Sequence, residues 1–113
     1  MKVIVEDLAK DCITDIYYYN CQYSLNNAQE VDRNIRLCIH NLENLPYIGR
    51  YVPKIFNKNF RELIYKRNKN SYRIVYYISE ISNTIYIMYV ANSKRDFNKF
   101  LKPHNYFKNF FKF

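Results

Sequence analysis

The sequence predicts an α+β fold, an N-terminal antiparallel helix hairpin packed on a small, mainly antiparallel β-sheet. Two observations carry it. Apolar residues recur at spacings of three and four through the first 45 residues, and the stretch from Phe60 to Arg95 alternates β-branched and aromatic residues in three runs parted by Asn, Ser and Lys. At 113 residues, 49% of them hydrophobic, the chain is long enough for one compact core and too short for two ordinary domains. A single domain over residues 1–101 is expected, followed by an aromatic and basic tail over 102–113.

Lys2–Val5 is a short β-type run able to add an edge strand to the later sheet. Asp7 opens the first helix, where Val5, Leu8, Cys12, Ile16, Tyr19 and Tyr23 share one face and Lys10, Asp11 and Asp15 lie elsewhere. Acidic Glu6 and Asp7 suit the positive end of its dipole. Consecutive Tyr17, Tyr18 and Tyr19 cannot all point inward, so at least one ring is open to a partner.

Asn26 followed by Gln29, or Asn27 followed by Glu30, has the spacing of a capping box for a second helix. Its stripe is Ala28, Val31, Ile35, Cys38, Leu42 and Leu45, with Arg33, Arg36 and His40 on other faces. Leu45-Pro46 ends it, because the residue before a proline disfavours helical angles. The short link between the helices makes them a hairpin whose apolar faces turn to the sheet. From Tyr47 to Asn59 the pattern is irregular, punctuated by Gly49 and Pro53, and charged at Arg50, Lys54 and Lys58.

The meander follows. Arg61, Leu63 and Tyr65 should face oppositely to Phe60, Glu62 and Ile64, and Tyr72, Ile74, Tyr76 and Ile78 oppositely to Arg73, Val75 and Tyr77. In the last strand Ile85, Ile87 and Tyr89 should alternate with Tyr86, Met88 and Val90. Both faces of the later two strands are apolar, which places them centrally and covered on both sides. Asn68 and Asn70 can take the left-handed backbone angles of a turn. Asn92–Leu101 is expected to form a short helix or turn, and HNYFKNFFKF to dock on the domain or stay disordered, with binding of a partner as the alternative.

Charge is uneven along the chain. Residues 1–44 hold four Lys or Arg against seven Asp or Glu, whereas the remainder holds fourteen against three, within a formal net charge of +8. A polyanionic partner, nucleic acid or an acidic protein segment, is expected for the second half, and a pleated sheet can collect Arg61, Arg73 and Arg95 on one surface. The lone glycine, Gly49, excludes a glycine-rich phosphate loop, so no nucleotide cofactor is expected. Cys12, Cys21 and Cys38 form no CxxC pair and His40 and His104 lie far apart, so no metal site is expected. Cys12 and Cys38 read as buried thiols, with Cys21 off its stripe and exposed. The absence of membrane-length apolar runs or a signal-peptide core gives a cytoplasmic expectation.

In this order the segments LPYIGR, FRELIY, SYRIVYYI and IYIMYVANSKRDF, after a helix hairpin, resemble the RelE/ParE superfamily of toxins from bacterial type II toxin-antitoxin systems over residues 2–101. Pro46 with Gly49 and Arg50, Arg61-Glu62-Leu63 and Tyr72-Arg73-Ile74-Val75-Tyr76 carry the likeness best. The resemblance implies a small toxin neutralised by an acidic antitoxin, in a hetero-oligomer. Its two branches differ: RelE-like members cut mRNA on the ribosome, and ParE-like members inhibit DNA gyrase without hydrolysis.

Cleavage by a 2′-hydroxyl requires a proton acceptor, a proton donor and cations around the phosphate. By resemblance, the nuclease candidates here are Arg61, Arg73 and Arg95, with Glu62 as an alternative base. Leu63 and Asn92, however, stand where RelE-like sites place a base and, in many relatives, His. Tyr65, Tyr77 or Tyr106 could substitute, but an ordinary phenol titrates near ~10 and is a poor base unaided. The incomplete set and the segments Pro46–Arg50 and Arg61–Leu63 favour the ParE branch, a gyrase inhibitor without catalysis. The alternatives are an mRNA endoribonuclease and a non-catalytic basic binding module. Arg50, Arg61, Arg73, Lys94, Arg95 and Tyr18 are the residues expected to meet a partner.

Overall fold

A computed structural model describes residues 1–52 and 55–95. Within them the order is β1 (Lys2–Val5), α1 (Asp7–Cys21), α2 (Leu25–Asn41), β2 (Arg50–Tyr51), β3 (Phe60–Arg67), β4 (Asn70–Ser79) and β5 (Thr84–Asn92). The α+β architecture matches the expectation, and the helix hairpin covers one face of a five-stranded sheet ordered β1-β5-β4-β3-β2. All ladders are antiparallel except β1–β5, which runs parallel from Lys2 opposite Thr84 to Val5 opposite Ile87.

Directly opposed residues on neighbouring strands share a face of the sheet. Arg61 opposes Tyr76, Leu63 opposes Ile74 and Tyr65 opposes Tyr72. That set faces the helices, since Asn34 of α2 donates to the Tyr65 hydroxyl at 3.0 Å and Asn20 of α1 lies 3.4 Å from the Tyr72 hydroxyl. Phe60, Glu62 and Ile64 oppose Tyr77, Val75 and Arg73 on the far face. Residues on both faces of β4 and β5 are fully buried, among them Ile74, Val75, Tyr76, Ile85 and Ile87. The two strands are therefore central and covered on both sides, as their composition predicts.

Several local expectations are corrected. Ser24, rather than Asn26 or Asn27, caps α2, its hydroxyl accepting from the Asn27 backbone nitrogen at 3.1 Å. Helix α2 stops at Asn41, short of Leu45-Pro46, and Leu45 is exposed while Ile39 is buried in its place. On α1 the inward face turns to Ala9, Cys12, Ile13 and Asn20, leaving Tyr19 and Tyr23 in solvent. This follows from the 3.6-residue turn, which drifts away from a strict three-four pattern over fifteen residues. Asn20 is buried because its amide is spoken for, donating to Ile16 O at 2.9 Å and accepting from Asn27 at 3.2 Å.

The strict alternation of β5 is broken as well. Val75 opposes Tyr89 but Tyr76 opposes Ile87, so Met88 is the extra residue of a β-bulge and Tyr89 moves to the face of Tyr86. The irregular stretch after α2 contains the two-residue edge strand β2. Asn68 adopts a left-handed angle (φ 54°) as expected, and so does Asn83 (φ 51°) before β5. Asn70 instead begins β4.

Of the cysteines, Cys12 is buried, while Cys38 and Cys21 are half-buried, so Cys21 is less open than its position off the stripe suggests. Burial pushes both the Cys12 and Cys38 thiols above their ordinary range. No helix among the described residues is long and apolar enough to cross a membrane. Residues 93–95 form a turn after β5; the rest of the expected 92–101 element, Lys54, Tyr106 and the 102–113 tail lie outside the described residues.

Candidate partner-binding site

The charged residues singled out by the sequence divide between two faces and one strand end. Arg61 and Arg73 are not gathered on one surface: Arg61 shares the helix-side face with Tyr76, and Arg73 shares the far face with Ile64. Arg73 stands three positions from Tyr76, the cross-strand partner of Arg61, and an odd offset along a strand changes the face.

On the far face, Glu62 lies between two guanidinium groups. Its side chain is fully buried, with Oε1 accepting from Arg50 Nε at 2.8 Å and Oε2 3.1 Å from Arg73 Nε. The first contact is a well-aligned hydrogen bond; the second is a close ion pair outside good hydrogen-bond alignment. Arg73 is mostly covered, whereas the Arg50 side chain is 63% exposed. Position explains the difference, because Arg50 stands on the edge strand opposite Glu62 and Arg73 on a central one. A carboxylate occupied at both oxygens by arginines is a structural anchor and is not placed to take a proton from an incoming hydroxyl. Glu62 as an alternative base is thus not what the geometry presents.

On the helix side, Arg61 works as a clamp. Its Nη1 donates to Gly49 O at 2.8 Å and Tyr47 O at 3.2 Å, while its guanidinium carbon sits 4.6 Å from the Tyr51 ring centroid and 5.3 Å from that of Tyr47. Both ring contacts are of cation–π distance. Tyr76 bolts the same segment from below. Its hydroxyl accepts from Gly49 N at 2.9 Å and donates to Pro46 O at 2.9 Å. Burial, the largest influence, pushes the Tyr76 hydroxyl above its ordinary range, against a smaller opposing pull from the Gly49 N–H and Arg61.

Gly49 is required here for space, not for backbone angle, since its φ is not positive. A Cβ at that position would stand 2.5 Å from the Tyr76 hydroxyl and 2.8 Å from Glu62 O. Segment 46–51 is held at four backbone atoms, yet Tyr47, Ile48 and Tyr51 remain exposed. Tyr47 in turn donates to Glu80 Oε1 at 2.8 Å, and that bond raises the Tyr47 hydroxyl above its ordinary range.

The remaining candidates lie elsewhere. Lys94 and Arg95 are exposed in the turn after β5, whose backbone is tied to Asn92 through Lys94 N to Oδ1 and Arg95 N to O, both at 2.9 Å. They border a cleft of about 610 Å³ between α1 and the strand ends, together with Asp15, Tyr19, Asn20 and Tyr72. Tyr18 is 65% exposed on α1, in edge contact with Tyr17. The four nuclease candidates consequently do not converge: Arg61 is clamped on one face, Glu62 and Arg73 are paired on the other, and Arg95 lies beyond β5. Tyr65 and Tyr77, considered as substitute bases, likewise fall on opposite faces. Among the described residues no cluster of three or more His, Cys, Asp or Glu could hold a metal ion.

Sequence reasoning missed the Tyr76 bolt and the exposed tyrosines around Arg61. The signal present was the proximity of Pro46, Gly49 and Arg50 in sequence, which marks a shaped segment without revealing what it packs on.

A family model described as the ParE toxin of the type II toxin-antitoxin system parDE matches residues 3–97. No curated protein matches the sequence. A solved structure described as a chromosomal ParDE TA system from P. aeruginosa superposes with a TM-score of 0.61 at 18% identity, covering 80% of this chain and 92% of that one. At that identity the superposition speaks for the fold.

Proposed function

The chain belongs to the ParE toxin family of type II toxin-antitoxin systems, and from that premise we propose that it inhibits DNA gyrase by binding and is neutralised by an acidic antitoxin in a hetero-oligomeric complex. It acts in the cytoplasm, where its target lies. The observation that carries the non-catalytic reading is the separation of Arg61 from the Glu62–Arg73 pair on opposite faces of the sheet. Phosphoryl transfer to a 2′-hydroxyl needs acid, base and cations around one phosphate, whereas binding needs only a fixed, complementary surface.

Arg50, Arg61, Arg73, Lys94, Arg95 and Tyr18 are the proposed contact residues. The excess of positive charge beyond residue 44 supports an acidic partner, since complementary fields steer association and raise its rate. The direct experiment is a supercoiling assay with purified gyrase. Dose-dependent inhibition is expected, relieved by the protein encoded by the adjacent reading frame. Absence of inhibition, combined with ribosome-dependent mRNA cleavage that Arg73→Ala abolishes, would establish the RelE-like endoribonuclease reading instead. Harmless expression of soluble protein in a susceptible bacterium would favour a binding module without toxicity.

A further inference from the structure

Exposed aromatic and aliphatic side chains ordinarily cost a free chain solubility, and a contiguous group of them marks an interaction surface. Tyr47, Ile48 and Tyr51 are 48%, 60% and 59% exposed. They are not exposed by looseness. Tyr76 and Arg61 hold the backbone that carries them through four hydrogen bonds, and Arg61 stacks against both tyrosine rings. A surface fixed in advance loses little conformational entropy on binding, and Tyr and Arg are the residue types that dominate interface energetics.

Charge indicates the chemistry of the occupant. Arg50 lies in the same segment with its side chain 63% exposed, and among the described residues β2 is the edge of the sheet, with no strand beyond it. Arg61 Nε is buried with no hydrogen-bond acceptor, and among the described residues no carboxylate pairs with that guanidinium. Two carboxylates lie near it: Glu62 is buried between Arg50 and Arg73 on the other face, and Glu80 accepts from the Tyr47 hydroxyl. The surface therefore presents Tyr47, Tyr51 and Ile48 around the Arg61 guanidinium, with Arg50 reaching solvent at the sheet edge.

We propose that the Tyr47–Arg61–Tyr51 stack, with Ile48 and Arg50 on its rim, is a docking site for an acidic segment of the antitoxin. An aliphatic or aromatic side chain of that segment covers Tyr51 and Ile48, and a neighbouring carboxylate meets the exposed guanidinium of Arg50. The assignment rests on the toxin-antitoxin reading above and specifies where on the sheet edge part of the neutralising contact falls.

The experiment measures binding of the full-length protein to the purified product of the adjacent reading frame by isothermal titration calorimetry, for wild type, Tyr51→Ser, Ile48→Ser and Leu37→Ser. Leu37 is 53% exposed on α2 and controls for loss of any surface apolar group. Tyr51→Ser should weaken binding by about tenfold or more, and Ile48→Ser by a smaller factor, with Leu37→Ser unchanged. Arg50→Gln should lower the salt dependence of the affinity. Thermal melts of each variant distinguish lost contact from lost fold. Wild-type affinity retained in folded Tyr51→Ser and Ile48→Ser, with unchanged salt dependence in Arg50→Gln, overturns the docking site and leaves the toxin reading intact. Failure of the wild type to bind at all overturns the antitoxin reading itself, and the docking site with it.

Discussion

The hydroxyl of Tyr76 lies 2.9 Å from the backbone nitrogen of Gly49, joining the middle of the central strand β4 to a segment 27 residues earlier. It completes its hydrogen bonding by donating to Pro46 O. Removing it with Tyr76→Phe keeps the ring and leaves a buried N–H and a carbonyl without their partner. A loss of about 1–3 kcal/mol is expected. Urea denaturation checks this, with unchanged midpoint as the contrary result.

The same hydroxyl makes stability depend on alkaline pH. Burial raises its ionisation in the folded state above the ordinary tyrosine value of ~10. The sign follows directly: the neutral phenol is favoured by folding, so its contribution is fully present below pH ~10 and is lost as pH rises through the raised folded value. The stability difference between wild type and Tyr76→Phe should therefore narrow above pH ~10. Parallel curves for the two proteins across that window would contradict it.

Gly49→Ala should destabilise by crowding, since the new methyl would meet the Tyr76 hydroxyl at 2.5 Å and Glu62 O at 2.8 Å. Glu62 O belongs to the β3 backbone and cannot swing aside as a side chain can. A cost of about 1–3 kcal/mol is expected, read as a lower melting temperature. Combined with Tyr76→Phe, part of the penalty should be relieved, because the nearest of the three clashing atoms is gone while Glu62 O and the ring Cε1 at 2.9 Å remain. Strict additivity in the double mutant would show that the two sites are not in contact.

The Arg50–Glu62–Arg73 group should be lopsided in its energetics. Glu62→Ala removes a fully buried carboxylate from between two guanidiniums and should cost about 3 kcal/mol. Arg50→Ala, at a side chain mostly in water, should change stability by less than about 1 kcal/mol. Chemical denaturation of both variants decides the point. Equal losses would mean that solvent screens Arg50 far less than its exposure implies.

Much of this fold was legible from periodicity. The three strands of the meander, the helix hairpin and the edge strand before it follow from residue spacing alone, and Glu62 was correctly set opposite Arg61 by alternation. What escaped was decided by tertiary geometry. Met88 bulges out of β5 and resets the faces of Tyr89 and Val90, which no count of apolar residues reveals. Asn20 is buried because Asn27, Ile16 and Tyr72 supply its hydrogen bonds, and a lone polar residue on a helix gives no warning of that. Arg61 and Arg73 looked alike as basic strand residues, but the register between β3 and β4 assigns them to different faces and different partners.

The parallel pairing of β1 with β5 has a consequence for synthesis. Val3 finds its place only beside Ile85, so a ribosome must deliver almost the whole described chain before the first strand can be stitched into the sheet. Helix and meander contacts are local in sequence, whereas this closure spans about 80 residues, the kind of pairing that slows folding. A chain truncated before residue 84 lacks β5 and should remain protease-sensitive, whereas the chain through Asn92 should resist digestion.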